Sequence, residues 1–346
     1  MTRPFLNGWT YILLVLLAVE LCGCSSDGKD EPAPLPSGPT PQIIVMYAPG
    51  GLGDQGYNDA ILAGVQSFKK THHSDVEIYQ YSPDSFDEAE RLLTDWLSLP
   101  ESDNPALFVV GSNDYESLVA EALDSDSLTK NKCLLMFESD NPKHLPVTHF
   151  RLSMYGASYL AGVTAAASIE GADKDVLVLL AHYGDETIAK AEAGFRDGFQ
   201  SSGGQSEVFT ECLAQDWTGY ISAQAAYQRM DEWSKSYSYI FPVAGGSNQG
   251  IYRYTREHAD APLTAGMDVD QSGMSRNIVG SVTKNIDQVI YYYMETWLAT
   301  GELPESSVFG LESGYTDWVL SPYHEQYRAI VDAARAEAVR KEVVDL

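Results

Sequence analysis

The chain has 346 residues and a formal net charge of −27, with 49 aspartates and glutamates against 22 lysines and arginines. This length is enough for two domains of ordinary size. The strong negative charge argues against nucleic acid or an anionic membrane surface as a partner, because both would be repelled. It favours a neutral or cationic small ligand, unless it serves only to keep the protein soluble.

The N-terminal sequence is typical of a bacterial lipoprotein signal. Its apolar run, 12–19, is too short to span a membrane. The run leads into Leu21-Cys22-Gly23-Cys24, which resembles the lipobox of such signals. We expect residues 1–23 to be removed and Cys24 to carry acyl chains that hold the protein to a membrane. An ordinary secretory signal with two incidental cysteines is the alternative.

Residues 24–40 are predicted to form a disordered tether, because prolines, glycines and charged residues follow one another there without periodicity. The serines, acidic residues and lysine that follow Cys24 resemble the surface-export tag of some Gram-negative lipoproteins. The predicted location is therefore the cell envelope, in the outer membrane, with exposure at the cell surface left open. Cys133 and Cys212 would remain after processing, and we expect two free thiols there.

Strand-like apolar runs alternate with amphipathic stretches along the rest of the chain. The predicted strands are Ile43–Met46, Val76–Gln80, Leu107–Val110, Cys133–Phe137, His149–Leu152, Val176–Leu180, Glu207–Thr210, Tyr239–Val243 and Leu263–Met267. The predicted helices include Phe86–Leu97, Tyr115–Leu123, Ala157–Ile169, Glu186–Gln200, Ser222–Trp233 and Ile286–Ala299. This alternation argues for an α/β fold with parallel sheets built from right-handed crossovers.

The series of strands and helices restarts near residue 150, which predicts two doubly wound lobes with a cleft between them. In such sheets, ligands bind at the carboxyl ends of the strands. The stretch 47–59 contains four glycines, two aspartates, an asparagine and two tyrosines, and it follows the first strand. It is therefore a candidate wall of the cleft, where the glycines would let the backbone approach a ligand closely.

Six stretches match one protein family in the order in which that family carries them. They are GGLGDQGYN at 50–58, SYLAG at 158–162, EAGF at 192–195 followed by Gly198, AGG at 244–246, GMDVDQ at 266–271 and SVTK at 281–284. On these residues the chain resembles the basic membrane protein, or purine nucleoside receptor, lipoproteins. The second and third stretches look like packing motifs, with Gly162 admitting a close helix neighbour.

The resemblance implies a type I periplasmic-binding-protein fold, in which three segments cross between two lobes. We place one lobe at 41–148 plus about 277–308, and the other at about 149–276 plus 309–346. It also implies a lipid-anchored solute-binding protein that captures a small polar ligand, a purine nucleoside, and delivers it to an ABC permease. Neither a cofactor nor a metal is expected.

Seven residues are candidate ligand contacts, because they lie in the matching stretches or at the ends of predicted strands: Asp54, Tyr57, Asn58, Glu116, Gly245, Asp268 and Lys284. Tyr57 offers a ring that could stack on a planar base. Asp268 can accept hydrogen bonds, and Lys284 can donate them to a ligand or pair with Asp268. Asp54 and Asn58 could instead be only N-caps of the helix that follows.

The chain departs from the family pattern at three places. Ala48 stands where the family carries an aspartate, and Ala191 stands where a phenylalanine precedes EAGF. The loop 111–116 differs as well: the family carries an aspartate there, and Glu116 or Asp114 could replace it here. A replacement for the missing ring could come from one of four side chains, Tyr115, His182, Tyr183 or Trp217.

Two other functions remain open. One is a receptor with the same fold that binds a sugar or another small molecule and feeds signalling. The other is a nucleoside-processing enzyme, which is disfavoured because the sequence has no Gly-x-Ser-x-Gly elbow, His-Glu-x-x-His, P-loop or Cys-x-x-Cys motif.

Overall fold

The structure, a computed structural model, describes residues 40–72 and 75–345. All of them belong to one compact unit. The predicted signal peptide, the lipidation site Cys24 and nearly the whole predicted tether lie outside the described residues. None of the helices in the described ranges is both long enough and apolar enough to cross a membrane.

The strands in the described residues are β1 Gln42–Met46, β2 Glu77–Tyr81, β3 Ala106–Val110, β4 Lys132–Phe137, β5 Thr148–Leu152, β6 Asp175–Leu180, β7 Val208–Cys212, β8 Tyr237–Val243, β9 Leu263–Asp268, β10 Ile278–Lys284, β11 Ser307–Phe309 and β12 Thr316–Leu320. The helices are α1 Tyr57–His72, α2 Phe86–Ser98, α3 Glu116–Ser125, α4 Tyr155–Ser168, α5 Glu186–Ser201, α6 Ala223–Ser236, α7 Asn248–Glu257, α8 Ile286–Thr300 and α9 Arg328–Asp345. Every strand predicted from an apolar run is present.

The strands form two six-stranded sheets, in the orders β11-β5-β4-β3-β1-β2 and β12-β10-β9-β8-β6-β7. All pairs are parallel except β10 with β12. The interior strand β1 is buried along all of its five residues. Helices cover both faces of a parallel sheet, and such a strand therefore reads as an uninterrupted apolar run. The two α/β lobes confirm the predicted fold class.

The lobe boundaries differ from the predicted ones at two strands. β10 was assigned by its position in the sequence to the first lobe, within 277–308, but it pairs with β9 in the second sheet. β5 was assigned mostly to the second lobe, but it pairs with β4 in the first sheet. The chain therefore crosses between the sheets after β5, after β10 and after β11. The first two crossings each lie one strand later than predicted, whereas the third lies within one residue of the predicted boundary.

Helices pack closely within each lobe, and glycines lie at the points of closest approach. In the first lobe α1 packs against α8, and in the second α4 packs against α5 and α9. A Cβ atom at Gly162 of α4 would overlap the carbonyl oxygen of Phe195 in α5. This close approach confirms the predicted packing role of Gly162. Cys133 and Cys212 are free thiols, as predicted.

Candidate functional site

A cavity of about 250 Å³ lies where the carboxyl ends of the two sheets face each other. Six of the seven predicted residues line it, namely Asp54, Tyr57, Asn58, Gly245, Asp268 and Lys284. The first lobe contributes the loop after β1 and the loop after β3, and the second contributes the ends of β8, β9 and β10. These side chains therefore surround the position at which a parallel α/β topology predicts a ligand.

The loop between β1 and α1 forms one wall through its backbone. Gly50, Gly51 and Gly53 have φ angles of +96°, +65° and +92°, which side chains with a Cβ rarely adopt. The Asp59 carboxylate holds the loop in place, because it accepts hydrogen bonds from the amides of Gly53 at 2.8 Å and Gln55 at 2.9 Å. The sequence of glycines therefore reflects a rigid turn that presents main chain to the cavity.

Asp54 has the capping role that was its alternative interpretation, whereas Asn58 lies within α1 and braces the loop instead of capping the helix; both also line the cavity. Asp54 accepts hydrogen bonds from the amides of Gly56, Asn58 and Asp59 at 2.9, 2.7 and 3.2 Å. Burial raises the pKa of Asp54, against the effect of these amides. Asn58 is buried, and its Oδ1 accepts a hydrogen bond from the amide of Ala48 at 2.9 Å.

Tyr57 brings a ring and a hydroxyl to the first lobe's side of the cavity. Its hydroxyl is buried and has no hydrogen-bond partner among the described residues. The ammonium of Lys284 lies 5.2 Å from the centre of the ring, within cation–π range. Burial raises the pKa of Tyr57 well above its ordinary value, so the hydroxyl stays protonated. A ligand could therefore satisfy an otherwise orphaned group here.

Lys284 is held by two carboxylates, only one of which was predicted. Its Nζ donates to Glu138 Oε1 at 2.8 Å and lies 3.9 Å from Asp268 Oδ1. Burial acts to lower the pKa of Lys284, but Glu138 and Asp268 outweigh it and hold the pKa above its ordinary value. Glu138 Oε2 also accepts a hydrogen bond from the amide of Leu152 at 3.0 Å. Glu138 directly follows the predicted strand Cys133–Phe137. Its position at the carboxyl end of a strand could have identified it as a site residue.

Asp268 ends β9 with a carboxylate that faces the cavity. Its side chain is 8% exposed, and Lys284 is its only ion-pair partner among the described residues. No donor of the described protein hydrogen-bonds to it. Burial raises the pKa of Asp268 to about 6, Lys284 opposes the rise, and the nearby carboxylates of Asp54 and Glu138 add to it.

Glu116 is the one predicted contact that does not line the cavity. It begins α3, and the charged side chains that act on it are Lys143, Asp140 and His149. Asp114, which the sequence left as the alternative acid, lines the cavity instead. A 3-10 turn, Asn113–Tyr115, separates the end of β3 from α3. It directs Asp114 into the cleft and Glu116 away from it, because successive residues of a helical turn point to different sides.

The second lobe supplies a ring that the sequence did not identify. Tyr220 lines the cavity, and its hydroxyl donates to Asp185 Oδ2 at 2.7 Å. Asp185 also caps α5, accepting from the amides of Thr187 at 2.8 Å and Ile188 at 3.4 Å. Burial raises the pKa of Tyr220 well above its ordinary value. Tyr220 lies in a short 3-10 segment, Trp217–Ile221, which has no helix or strand periodicity that could have predicted its position.

The four candidate replacement rings lie outside the cavity lining. His182 packs edge-on against Tyr220, with ring centres 5.5 Å apart, and Tyr183 is 62% exposed. Tyr115 and Trp217 line a neighbouring cavity, which shares the Pro49–Leu52 wall with the first. Of the two alanines that depart from the family pattern, Ala48 lines the main cavity and Ala191 is buried in the core of the second lobe.

The cavity lining is strongly acidic. Asp54, Asp114, Glu138, Asp185 and Asp268 face it, and Lys284 is the only lysine or arginine in the lining. No group of three or more histidine, cysteine, aspartate or glutamate side chains within the described ranges is arranged to hold a metal ion.

Comparison with known proteins relates the chain to solute-binding proteins. A profile of the Bmp family, described as ABC transporter substrate-binding protein PnrA-like, matches residues 42–343. No curated protein sequence matches the chain closely enough to count as a relative.

Solved structures with the same fold share little sequence with this chain. A solute-binding protein of an ABC transporter system from Aeropyrum pernix K1 is 16% identical, with a TM-score of 0.69 over 88% of this chain and 85% of that one. A carbohydrate transporter solute-binding protein from Agrobacterium radiobacter, in complex with D-arabinose, is 15% identical, with a TM-score of 0.62 over 85% and 98%. A transcriptional activator of the comK gene from Bacillus halodurans is 14% identical, with a TM-score of 0.61 over 86% and 96%.

Proposed function

The chain belongs to the Bmp family of PnrA-like ABC transporter substrate-binding proteins, and from that premise we propose that it captures a nucleoside between its two lobes for import. The family is a substrate-binding component of ABC transporters and not a family of enzymes. One observation carries the choice of ligand. Two partly buried tyrosine rings, Tyr57 and Tyr220, face the cavity from opposite lobes, together with the polar pair Asp268 and Lys284.

This arrangement suits a ligand with a flat ring and polar edges. Aromatic side chains that stack on a base contribute about 1–3 kcal/mol per base. Asp268 would accept hydrogen bonds from the edge of the base or from the sugar, and Lys284 and the Tyr57 hydroxyl would donate to it. Asp54, Asn58 and Gly245 would complete the wall. The cavity volume, about 250 Å³, lies just below the range of about 300–1,000 Å³ of most small-molecule sites and therefore favours a compact ligand.

A phosphorylated ligand does not fit the site. Helix N-termini that face a cleft often bind phosphate through their free amides. Here the amides at the start of α1 and of α5 already donate to Asp54 and Asp185. The carboxylates would also repel a phosphate. We therefore expect adenosine, guanosine or a similar nucleoside to bind, and the corresponding nucleotides not to.

A thermal-shift screen of residues 25–346 against nucleosides, bases, sugars and nucleotides tests the proposal. A ligand that binds the folded protein raises its midpoint by mass action. Tyr220→Ala should weaken the binding of a responding nucleoside about ten- to a hundredfold, as expected for a lost stacking contact. Tyr183→Ala is the matched control, because Tyr183 lies on a nearby loop but is exposed and outside the cavity lining. A response to sugars alone would support the sugar-receptor alternative and contradict nucleoside capture.

We also propose that Cys24 carries lipid and anchors the protein to the outer membrane. The support is the Leu21-Cys22-Gly23-Cys24 sequence behind a short apolar run. Cys24→Ala should block processing or release the protein from the membrane fraction, whereas Cys22→Ala, two residues earlier, should do neither. A mature-sized Cys24→Ala protein that still sediments with membranes would contradict the anchor.

A further inference from the structure

The charges around the cavity do not balance. Five carboxylates and one ammonium line it, and the ammonium of Lys284 is already engaged by Glu138 at 2.8 Å. Charges in a partly buried site are compensated mainly by opposite charges and hydrogen bonds, because burial reduces their solvation by water. The lining therefore has an excess of negative charge that the described protein side chains do not neutralise.

Four of the five carboxylates have donors of their own. Asp54 and Asp185 accept hydrogen bonds from amides at the starts of α1 and α5. Asp114 accepts from the hydroxyl of Ser112 at 2.7 Å, and Glu138 accepts from Lys284 and from a main-chain amide. These four groups are thus built into the protein and need nothing from a ligand.

Asp268 is the exception. Its side chain is 8% exposed, faces the cavity, and accepts no hydrogen bond from the described residues. Lys284 lies 3.9 Å away and is bonded to Glu138 instead. The carboxylate therefore has acceptor positions that no donor of the described residues fills, and these positions are open to the cavity. The hydroxyl of Tyr57, a second buried group without a partner, lies in the same lining.

We infer that the ligand carries a positive charge on the part that meets Asp268, as a protonated amine or a cationic ring nitrogen. The cation would lie against the Asp268 carboxylate with the tyrosine rings beside it, an arrangement that attracts cations through both the charge and the ring faces. The excess of carboxylates would strengthen the attraction across the whole cavity. This inference rests on the proposed function, because it refines the class of ligand that the same site takes.

Two matched pairs of compounds test the inference by isothermal titration calorimetry on residues 25–346. Adenosine is compared with 1-methyladenosine, whose ring is positively charged at neutral pH, and D-glucose with D-glucosamine, which replaces one hydroxyl by an ammonium. In at least one pair, the cationic member should bind about tenfold or more tightly than the neutral one. Asp268→Asn should bring this ratio close to one. Asp270→Asn, at an exposed position two residues away, should leave the ratio unchanged.

The outcomes separate this inference from the nucleoside proposal. If adenosine binds and both cationic compounds bind more weakly than their partners, nucleoside capture stands and the inference is wrong. If neither nucleoside binds but glucosamine binds more tightly than glucose, the inference stands and the nucleoside proposal fails. If no cation binds more tightly than its neutral partner, including the case in which nothing binds, the inference is overturned.

Discussion

Two acidic residues of the site have an unusual backbone conformation. Glu138 and Asp268 have φ angles of +56° and +68°, in the left-handed region. Each directly follows or ends a strand, β4 in the first sheet and β9 in the second, and both carboxylates approach Lys284. Residues held in this region cost about 1–3 kcal/mol and cluster at functional sites. The strain supports a binding role for this pair, since packing alone would not require it.

Asp268→Asn should stabilise the protein without ligand at neutral and alkaline pH. The pKa of Asp268 is raised from 3.8 to about 6, so the folded protein holds this proton more tightly than the unfolded chain does. The corresponding stabilisation is fully present below pH 3.8 and is lost as the pH rises through 6. At higher pH the buried charged carboxylate destabilises the folded protein, and replacement by asparagine removes this cost. Asparagine also tolerates the left-handed conformation. We expect a gain of roughly 1–3 kcal/mol in the free energy of unfolding.

Urea unfolding of both proteins near pH 8 and near pH 4 measures this gain, which should shrink at the lower pH. Asp270→Asn serves as the control, because Asp270 is exposed and should show no gain at either pH. An Asp268→Asn protein that is less stable than the parent near pH 8 would mean that the attraction to Lys284 exceeds the cost of burial.

At the scale of elements, helices α4 and α5 meet with their backbones almost in contact. Cβ atoms at Gly162, Gly194 and Gly198 would overlap the carbonyl oxygens of Phe195, Tyr155 and Tyr159, which belong to the facing helix. Glycine costs roughly 0.5–1 kcal/mol relative to alanine within a helix. The close packing of the two helices offsets this cost. The predicted packing motifs on both helices are therefore one interface.

Gly198→Ala should destabilise the second lobe, because the added methyl group must push α5 away from the main chain of α4. Overpacking of this kind typically costs about 1–3 kcal/mol, and here the obstacle is backbone that cannot rotate away. Thermal unfolding followed by circular dichroism measures the loss. Gly273→Ala is the control, since a Cβ there meets no atom within 4 Å. Equal midpoints for the two variants would contradict the packing interpretation.

At the scale of the whole molecule, the two lobes touch each other around the cavity. Glu138 of the first lobe bonds to Lys284 at the end of β10, and the Gln271 side chain donates to the carbonyl of Gln55 at 2.8 Å. Further out, the rings of Phe86 and Trp217 lie 5.8 Å apart. A ligand would thus be covered from both sides. Separation of the lobes at the three crossing segments would expose it for exchange.

Glu138→Gln should lower the free energy of unfolding and also loosen the contact between the two lobes. Removing one partner of a buried ion pair costs about 3–5 kcal/mol when the other charge is left uncompensated. Asp268 remains 3.9 Å from Lys284, so we expect a smaller loss, about 1–3 kcal/mol in the free energy of unfolding. Small-angle scattering should also show a larger radius of gyration, because the bond joins the two lobes.

Glu325→Gln is the matched control for this prediction. It breaks the ion pair of Glu325 with Arg328, in which both side chains are about half exposed, and such pairs contribute about 0–1 kcal/mol. If Glu138→Gln costs no more than this control and leaves the scattering unchanged, the ion pair does not hold the lobes together.

The sequence by itself determined the class of fold and most of the first layer of the site. Apolar runs long enough for a buried strand recurred between amphipathic stretches, and every such run became a strand. Residues at strand ends must meet at one edge of a parallel sheet. That rule, together with the matching motifs, was enough to select Tyr57, Asp268 and Lys284, which line one cavity.

Only the tertiary structure decided which groups complete the site and where the lobes divide. β10 joins the second sheet and β5 the first because of pairing with strands distant in sequence, which no local pattern encodes. The same long-range packing brings Glu138 of one lobe to Lys284 of the other and places Tyr220 in the lining. A single 3-10 turn turned Glu116 away from the cleft. Local periodicity specifies the elements, but contacts between lobes depend on how the whole chain is arranged in space.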